Sequence, residues 1–141
     1  MLSRLTIEYS RAHASSLKPM TLKILLVDDN QFFLAAVRQF LAMMPGAEVI
    51  SEAHNGFDAL AKAAELEPDL ILLDIAMPEL NGLEVARCLR QWPQAPRIVF
   101  LSIHDSSAYR DVARELGVEG FVCKADFVAD LIPIIGRLVD V

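Results

Sequence analysis

The sequence predicts an α/β protein with one parallel five-stranded sheet covered by helices on both faces. Short apolar runs alternate with helix-like stretches from residue 21 onward, the order of elements that builds such layered folds. The runs, such as KILLV at 23–27 and LILL at 70–73, are continuously apolar rather than alternating, as strands buried on both faces are. With 141 residues, 54% of them hydrophobic, the chain is long enough to bury one sizeable core and leaves no room for a second domain.

Taken in order, Lys23–Val27 is the first strand and stops at Asp28-Asp29. Asn30 can cap a helix over roughly 31–43, with Phe33, Val37, Phe40 and Leu41 on one stripe. Pro45-Gly46 closes that unit, and Ala47–Ala53 is a weaker strand with the character of an edge. Asn55-Gly56 reads as a turn into a helix that turns Phe57, Leu60, Ala61 and Ala64 inward and reaches about Leu66, before Pro68 stops it. Leu70–Leu73 is the most apolar strand, hence central, and runs into Asp74. A loop with Pro78 and Asn81-Gly82 leads to a helix ending near Trp92-Pro93. Arg97–Leu101 is the fourth strand and ends at Ser102; a helix follows from about Ser106 to Leu116. Phe121–Cys123 lies in the fifth strand, which ends at Lys124. Val128, Leu131, Ile135 and Leu138 mark a last helix, in which Pro133 predicts a late start or a kink.

Charge narrows the function. A net charge of −6 and a pI of about 5.0 argue against direct nucleic-acid binding by this chain, because phosphate contacts need a basic surface. Mean hydropathy is high at +0.37, yet no apolar run is long enough to span a bilayer, so the expectation is a soluble, cytoplasmic protein without membrane contact. Cys88 and Cys123 have no metal-type spacing and read as buried free thiols in a reducing compartment. Residues 1–20 carry Arg4, Arg11 and Lys18 against Glu8 and lack the apolar core of a signal peptide. They read as a flexible extension, with Met20 as an alternative start; a short docking helix is the other reading.

The strand ends carry the chemistry. Four of the five strands end in a reactive group: Asp28-Asp29, Asp74, Ser102 and Lys124. In a parallel sheet all carboxyl ends share one edge, where ligands bind at the switch point of strand order. Singly, an Asp after a strand is most often a turn or cap residue, and a lone Ser or Lys says less still; convergence at one edge is what carries the argument. Three crowded carboxylates repel and raise one another's pKa. An all-oxygen set without His or Cys suits Mg²⁺, Mn²⁺ or Ca²⁺, and few protein ligands with open positions favour Mg²⁺. A nucleophilic carboxylate, a metal, a Lys and a hydroxyl together suit a phosphoryl group. Asp74, ending the central strand, is the best nucleophile. Phe121 alone reads as core, and His104 as a loop residue; His13 and His54 have no nameable partner.

ILLVDDN with Asp28 and Asp29, LILLDIAMPELNG with Asp74, IVFLS with Ser102 and GFVCK with Lys124 strongly resemble, in that order, the response-regulator receiver domains of two-component systems, over about residues 22–140. The resemblance implies a receiver domain over 21–141 with a flavodoxin-like fold and strand order 2-1-3-4-5. It implies that Asp74 accepts phosphate from a histidine kinase or phosphotransfer protein, and that Asp28 and Asp29 hold Mg²⁺ with Asp74 and the backbone carbonyl of Ala76. Lys124 would pair with the phosphate, Ser102 would move to bond it, and Phe121 would be the switch aromatic. Lys124-Ala125-Asp126, where many receivers have Pro after Lys, and LSIHD at 101–105 resemble receivers that precede a LuxR-type helix-turn-helix domain. Ile103 replaces the small residue common after the hydroxyl and would narrow access to the phosphate.

The implied function is a two-state signalling module that exposes a partner-binding or dimerisation face and acts on transcription through a separate or missing DNA-binding domain. Two rivals stand beside it. A Mg²⁺-dependent phosphohydrolase would turn over a small phosphoester, but Ala76 stands where a haloacid-dehalogenase-type site has its second acid. A degenerate receiver acting by protein contact alone would bind no Mg²⁺, although the full acidic set is present.

Overall fold

A computed structural model describes residues 21–139; the expectations for 1–20 lie outside the described residues. Ten elements alternate: β1 (Leu22–Val27), α1 (Gln31–Ala42), β2 (Ala47–Ala53), α2 (Gly56–Leu66), β3 (Leu70–Asp74), α3 (Gly82–Arg90), β4 (Arg97–Ser102), α4 (Ser107–Leu116), β5 (Gly120–Cys123) and α5 (Phe127–Val139). A one-turn 3₁₀ helix, Lys124–Asp126, joins the last two. The sheet is parallel throughout, ordered β2-β1-β3-β4-β5. This is the flavodoxin-like arrangement, with β2 at an edge and β3 in the middle.

Alternate residues of each strand enter two separate cores. Ile24 and Leu26 of β1 pack with α1 and α5, through Leu34, Val37, Leu41, Leu131 and Ile135. Leu25 and Val27 face the other way, onto α2, α3 and α4, through Ala59, Ala63, Val85, Leu89 and Ala113. Both faces of the sheet are therefore covered, which is why β3 is buried at every position. The helices are anchored unequally: α5 buries Leu131, Ile134, Ile135 and Leu138, whereas α4 buries only Ala113.

Several local expectations need correction. In α2 the buried residues are Gly56, Ala59 and Ala63, with Leu60 half-buried; Phe57 is 62% exposed and Ala61 and Ala64 face solvent. Asp58, Lys62 and Glu65 mark only its outer stripe, and the wide apolar arc beside them includes Phe57, Ala61 and Ala64, so periodicity did not narrow the inner face. Close approach chose it: a Cβ on Gly56 would stand 2.5 Å from the Leu80 carbonyl oxygen. Asn55 is a cap rather than part of a turn, its side chain accepting the Asp58 N–H, and Gly56 is the first helical residue. Cys88 is exposed and Cys123 half-buried, so neither is a core thiol. The last helix starts before Pro133 and continues beyond it. Pro133 and Ala129 are both exposed, so water can bond the Ala129 carbonyl that the proline leaves without its helical partner. Val128 is 42% exposed, outside the core stripe.

Candidate functional site

Strand order fixes the site. β1 and β3 are neighbours, so Val27, paired with Leu73, delivers Asp28 beside Asp74. Asp74 pairs with Leu101, and Ser102 with Cys123, so Ser102 and Lys124 emerge along the same edge. One carboxylate oxygen from each of Asp28, Asp29 and Asp74 lies within 4.8 Å of the others. Asp28 and Asp74 are buried and Asp29 is exposed.

Lys124 bridges the two buried acids, its Nζ 2.6 Å from Asp28 Oδ2 and 3.3 Å from Asp74 Oδ1. The ammonium also lies 4.9 Å from the centroid of the Phe33 ring, where the π-face attracts a cation. Phe127 packs edge-on against Phe33, with centroids 5.3 Å apart. Phe33 thus belongs both to the core stripe and to the site's wall, a second role that helical spacing alone does not reveal. Backbone amides hold the carboxylates as well: Asn30 N–H donates to Asp28 Oδ1 at 2.9 Å, and Ala76 N–H to Asp74 Oδ1 at 3.3 Å.

One cation cannot balance three carboxylates. Burial, and next the Asp28 charge, push the Asp74 carboxyl up to about 7 from its usual 3.8, against the opposing pull of Lys124. Asp28 Oδ2 is fully buried and, although Lys124 is close, the approach is off the line of a hydrogen bond and leaves that oxygen without one. Such an oxygen, beside two more carboxylates in a cluster that holds no His or Cys, fits a hard divalent cation. The Ala76 carbonyl takes no hydrogen bond from the described residues.

Ser102 does not touch the acids. Its hydroxyl donates to the His104 carbonyl at 2.8 Å and accepts the His104 N–H at 3.1 Å, closing a tight turn at the start of the β4–α4 loop. Ile103 within that turn is 67% exposed. Phe121 is half-buried on β5 against the α2–α4 core. A recess of about 980 Å³ lies at the opposite edge of the sheet, lined by Lys23, Asp69, Trp92 and Arg97 among others. It includes none of the carboxylates just described.

Gly82 carries a positioning role that sequence reading assigned only to a loop. A Cβ there would stand 2.1 Å from the Asp74 carbonyl oxygen, so only glycine lets the start of α3 press against the end of β3. Gly82 N–H donates to Ile75 O at 2.9 Å. Asn81 caps the helix in a reciprocal box with Glu84; the Asn-x-x-Glu spacing is the legible signal for it.

A family model described as the response regulator receiver domain matches residues 24–135. The chain belongs to the response regulator receiver family. It is 38% identical over 110 residues to the nitrate/nitrite response regulator NarL of Escherichia coli K12, covering 78% of this chain and 50% of that protein. It is 44% identical over 105 residues to a protein-glutamate methylesterase/protein-glutamine glutaminase of Desulfotalea psychrophila, covering 73% of this chain and 29% of that one. Among solved structures, a LuxR-family two-component response regulator from Aurantimonas superposes with a TM-score of 0.78 at 32% identity, over 85% of this chain and 86% of the other. The receiver thus spans about half of NarL and less than a third of the methylesterase. No helix among the described residues is long and apolar enough to cross a membrane.

Proposed function

We propose that this receiver is a phosphoacceptor switch in which Asp74 takes a phosphoryl group from a phosphohistidine on a histidine kinase or phosphotransfer protein. The observation that carries the reading is the Asp74 carboxylate itself: buried at the end of the middle strand, between an acid pair and a lysine 3.3 Å away. In the transfer an Asp74 oxygen forms a bond to phosphorus as the phosphorus–nitrogen bond breaks, and the histidine leaves as neutral imidazole after taking a proton. Asp28, Asp29, Asp74 and the Ala76 carbonyl are the residues that would hold Mg²⁺. Bound there, the ion would supply positive charge for the crowded acids and for the incoming phosphoryl oxygens.

The chain's own residues do the rest. Lys124 can turn from Asp28 toward the phosphoryl oxygens without leaving the edge. Phosphorylation adds about 1.5–2 negative charges, enough to draw the Ser102 hydroxyl away from His104. Phe121 then repacks, and the face built by α4, β5 and α5 changes shape. Apart from its own phosphorylation and dephosphorylation, the domain acts on no external substrate. Likeness to the transcriptional regulatory protein DegU of Brevibacillus brevis, 33% identical over 119 residues, favours output through transcription, by a DNA-binding domain other than this one. A homodimer is a further partner for the altered face, and a cytoplasmic location suits a kinase-fed switch.

Incubation with acetyl phosphate and Mg²⁺ tests the reading. Intact mass should rise by one phosphoryl group, stable in acid and removed by hydroxylamine. No adduct on the wild type, or an undiminished adduct on Asp74→Asn, refutes Asp74 as the acceptor.

A further inference from the structure

The β4–α4 loop connects two residues of the switch through contacts outside the carboxylate site. Ser102 is tied to the backbone of His104 by both of its hydroxyl hydrogen bonds. The next residue, Asp105, accepts the Nε–H of Arg110 at 2.5 Å. Arg110, near the start of α4, lays its guanidinium over the ring of Phe121, 4.5 Å from the centroid. The path thus runs from Ser102 through the turn to Asp105, then Arg110, then the aromatic ring on the neighbouring strand.

We propose that Arg110, anchored by Asp105, is a positioning residue that clamps Phe121 in its half-buried resting position, and that phosphorylation opens the clamp through the 103–105 turn. The inference rests on the phosphoacceptor reading above. A cation near a helix N-terminus is opposed by the helix dipole, so Arg110 is not stationed there by its own helix; Asp105 and Phe121 hold it, with a lesser contribution from the Cys123 side chain. Asp105 also favours the charged guanidinium, chiefly through the hydrogen bond. A free arginine would sample many rotamers, whereas the short bond to Asp105 fixes the guanidinium over the ring. When Ser102 leaves His104 for a phosphoryl oxygen, the turn that sets the position of Asp105 loses both of its side-chain bonds. Arg110 is then freed and the ring can move.

The pair is substantially exposed, with side chains 41% and 66% accessible, so the clamp is weak. Exposed ion pairs and cation–π contacts each contribute little. A weak clamp is enough when the two states of a switch lie close in energy.

The test is the affinity for beryllofluoride, a phosphoryl mimic, with Mg²⁺ present and binding followed by amide NMR shifts. Arg110→Ala should bind roughly two- to five-fold more tightly than the wild type, the range that an exposed ion pair and cation–π contact can supply. The sign is diagnostic. Loss of a nearby cation acting only through its field would weaken binding of an anion. Arg110→Gln, which keeps most of the side chain's length, should shift in the same direction, and in a Phe121→Ala background the gain should vanish. Equal or weaker binding by both Arg110 variants, or a gain that persists without the ring, overturns the clamp while leaving the phosphoacceptor reading intact. If the wild type binds no beryllofluoride, or Asp74→Asn binds it equally well, the phosphoacceptor reading fails and the clamp with it.

Discussion

Replacing Asp74 with Asn should make the metal-free domain more stable, and only above mildly acidic pH. In the folded chain the carboxyl titrates at about 7 instead of 3.8, so between these values the folded state binds more protons than the unfolded one. A group raised in this way contributes stability below the unfolded pKa and loses it as pH rises through the folded one. About three pKa units at 1.36 kcal/mol each set a ceiling of about 4 kcal/mol for the loss. Local relaxation and water entry lower that ceiling, so the expected gain for Asp74→Asn at pH 8 is about 2–3 kcal/mol. For a domain of this size that is a rise in Tm of roughly 6–15 °C. Thermal unfolding in EDTA at pH 4 and pH 8 is the assay. The two proteins should differ little at pH 4, separate at pH 8, and converge again when Mg²⁺ is added at pH 8, because binding stabilises the wild type. Equal stability at pH 8, or a gap independent of pH, would refute the view that Asp74 sits in an electrostatically overcrowded site.

Two other substitutions probe the surroundings. Gly82→Ala puts a Cβ 2.1 Å from the Asp74 carbonyl oxygen and should cost about 2–4 kcal/mol in urea denaturation, since backbone must shift; a midpoint like the wild type's would mean α3 is not pressed against β3. Ile103→Ala, at an exposed position, should leave stability within about 0.5 kcal/mol while the phosphorylated protein loses its phosphoryl group several-fold faster, and an unchanged half-life would remove Ile103 as a shield against water.

Much of this was legible in the sequence, for physical reasons. A strand buried on both faces must be apolar throughout, so LILL at 70–73 announced the centre of the sheet. The groups at the strand ends were legible because the parallel arrangement gathers them whatever their separation along the chain. What stayed hidden depends on which side of an element meets its neighbour. The inner face of α2 is set by contact between Gly56 and Leu80, because the wide apolar arc beside the Asp58, Lys62 and Glu65 stripe does not select it. Cys88 sits in an apolar-looking stretch yet faces water, because α3 buries Val85, Ala86 and Leu89 instead. Arg110 carried no signal at all: its meaning comes from Asp105 five residues earlier and from an aromatic ring on another strand.

The single buried residue of α4 has a consequence for motion. Local opening costs least where few apolar contacts must be broken, and α4 gives up one fully buried side chain, Ala113, with the half-buried Tyr109 and Leu116, while α5 would have to withdraw four fully buried aliphatic side chains. Amide hydrogens of α4 should therefore exchange with solvent sooner than those of α5 or of the central strands. A partner that recognises a displaced α4 meets a helix that the resting domain already releases from time to time.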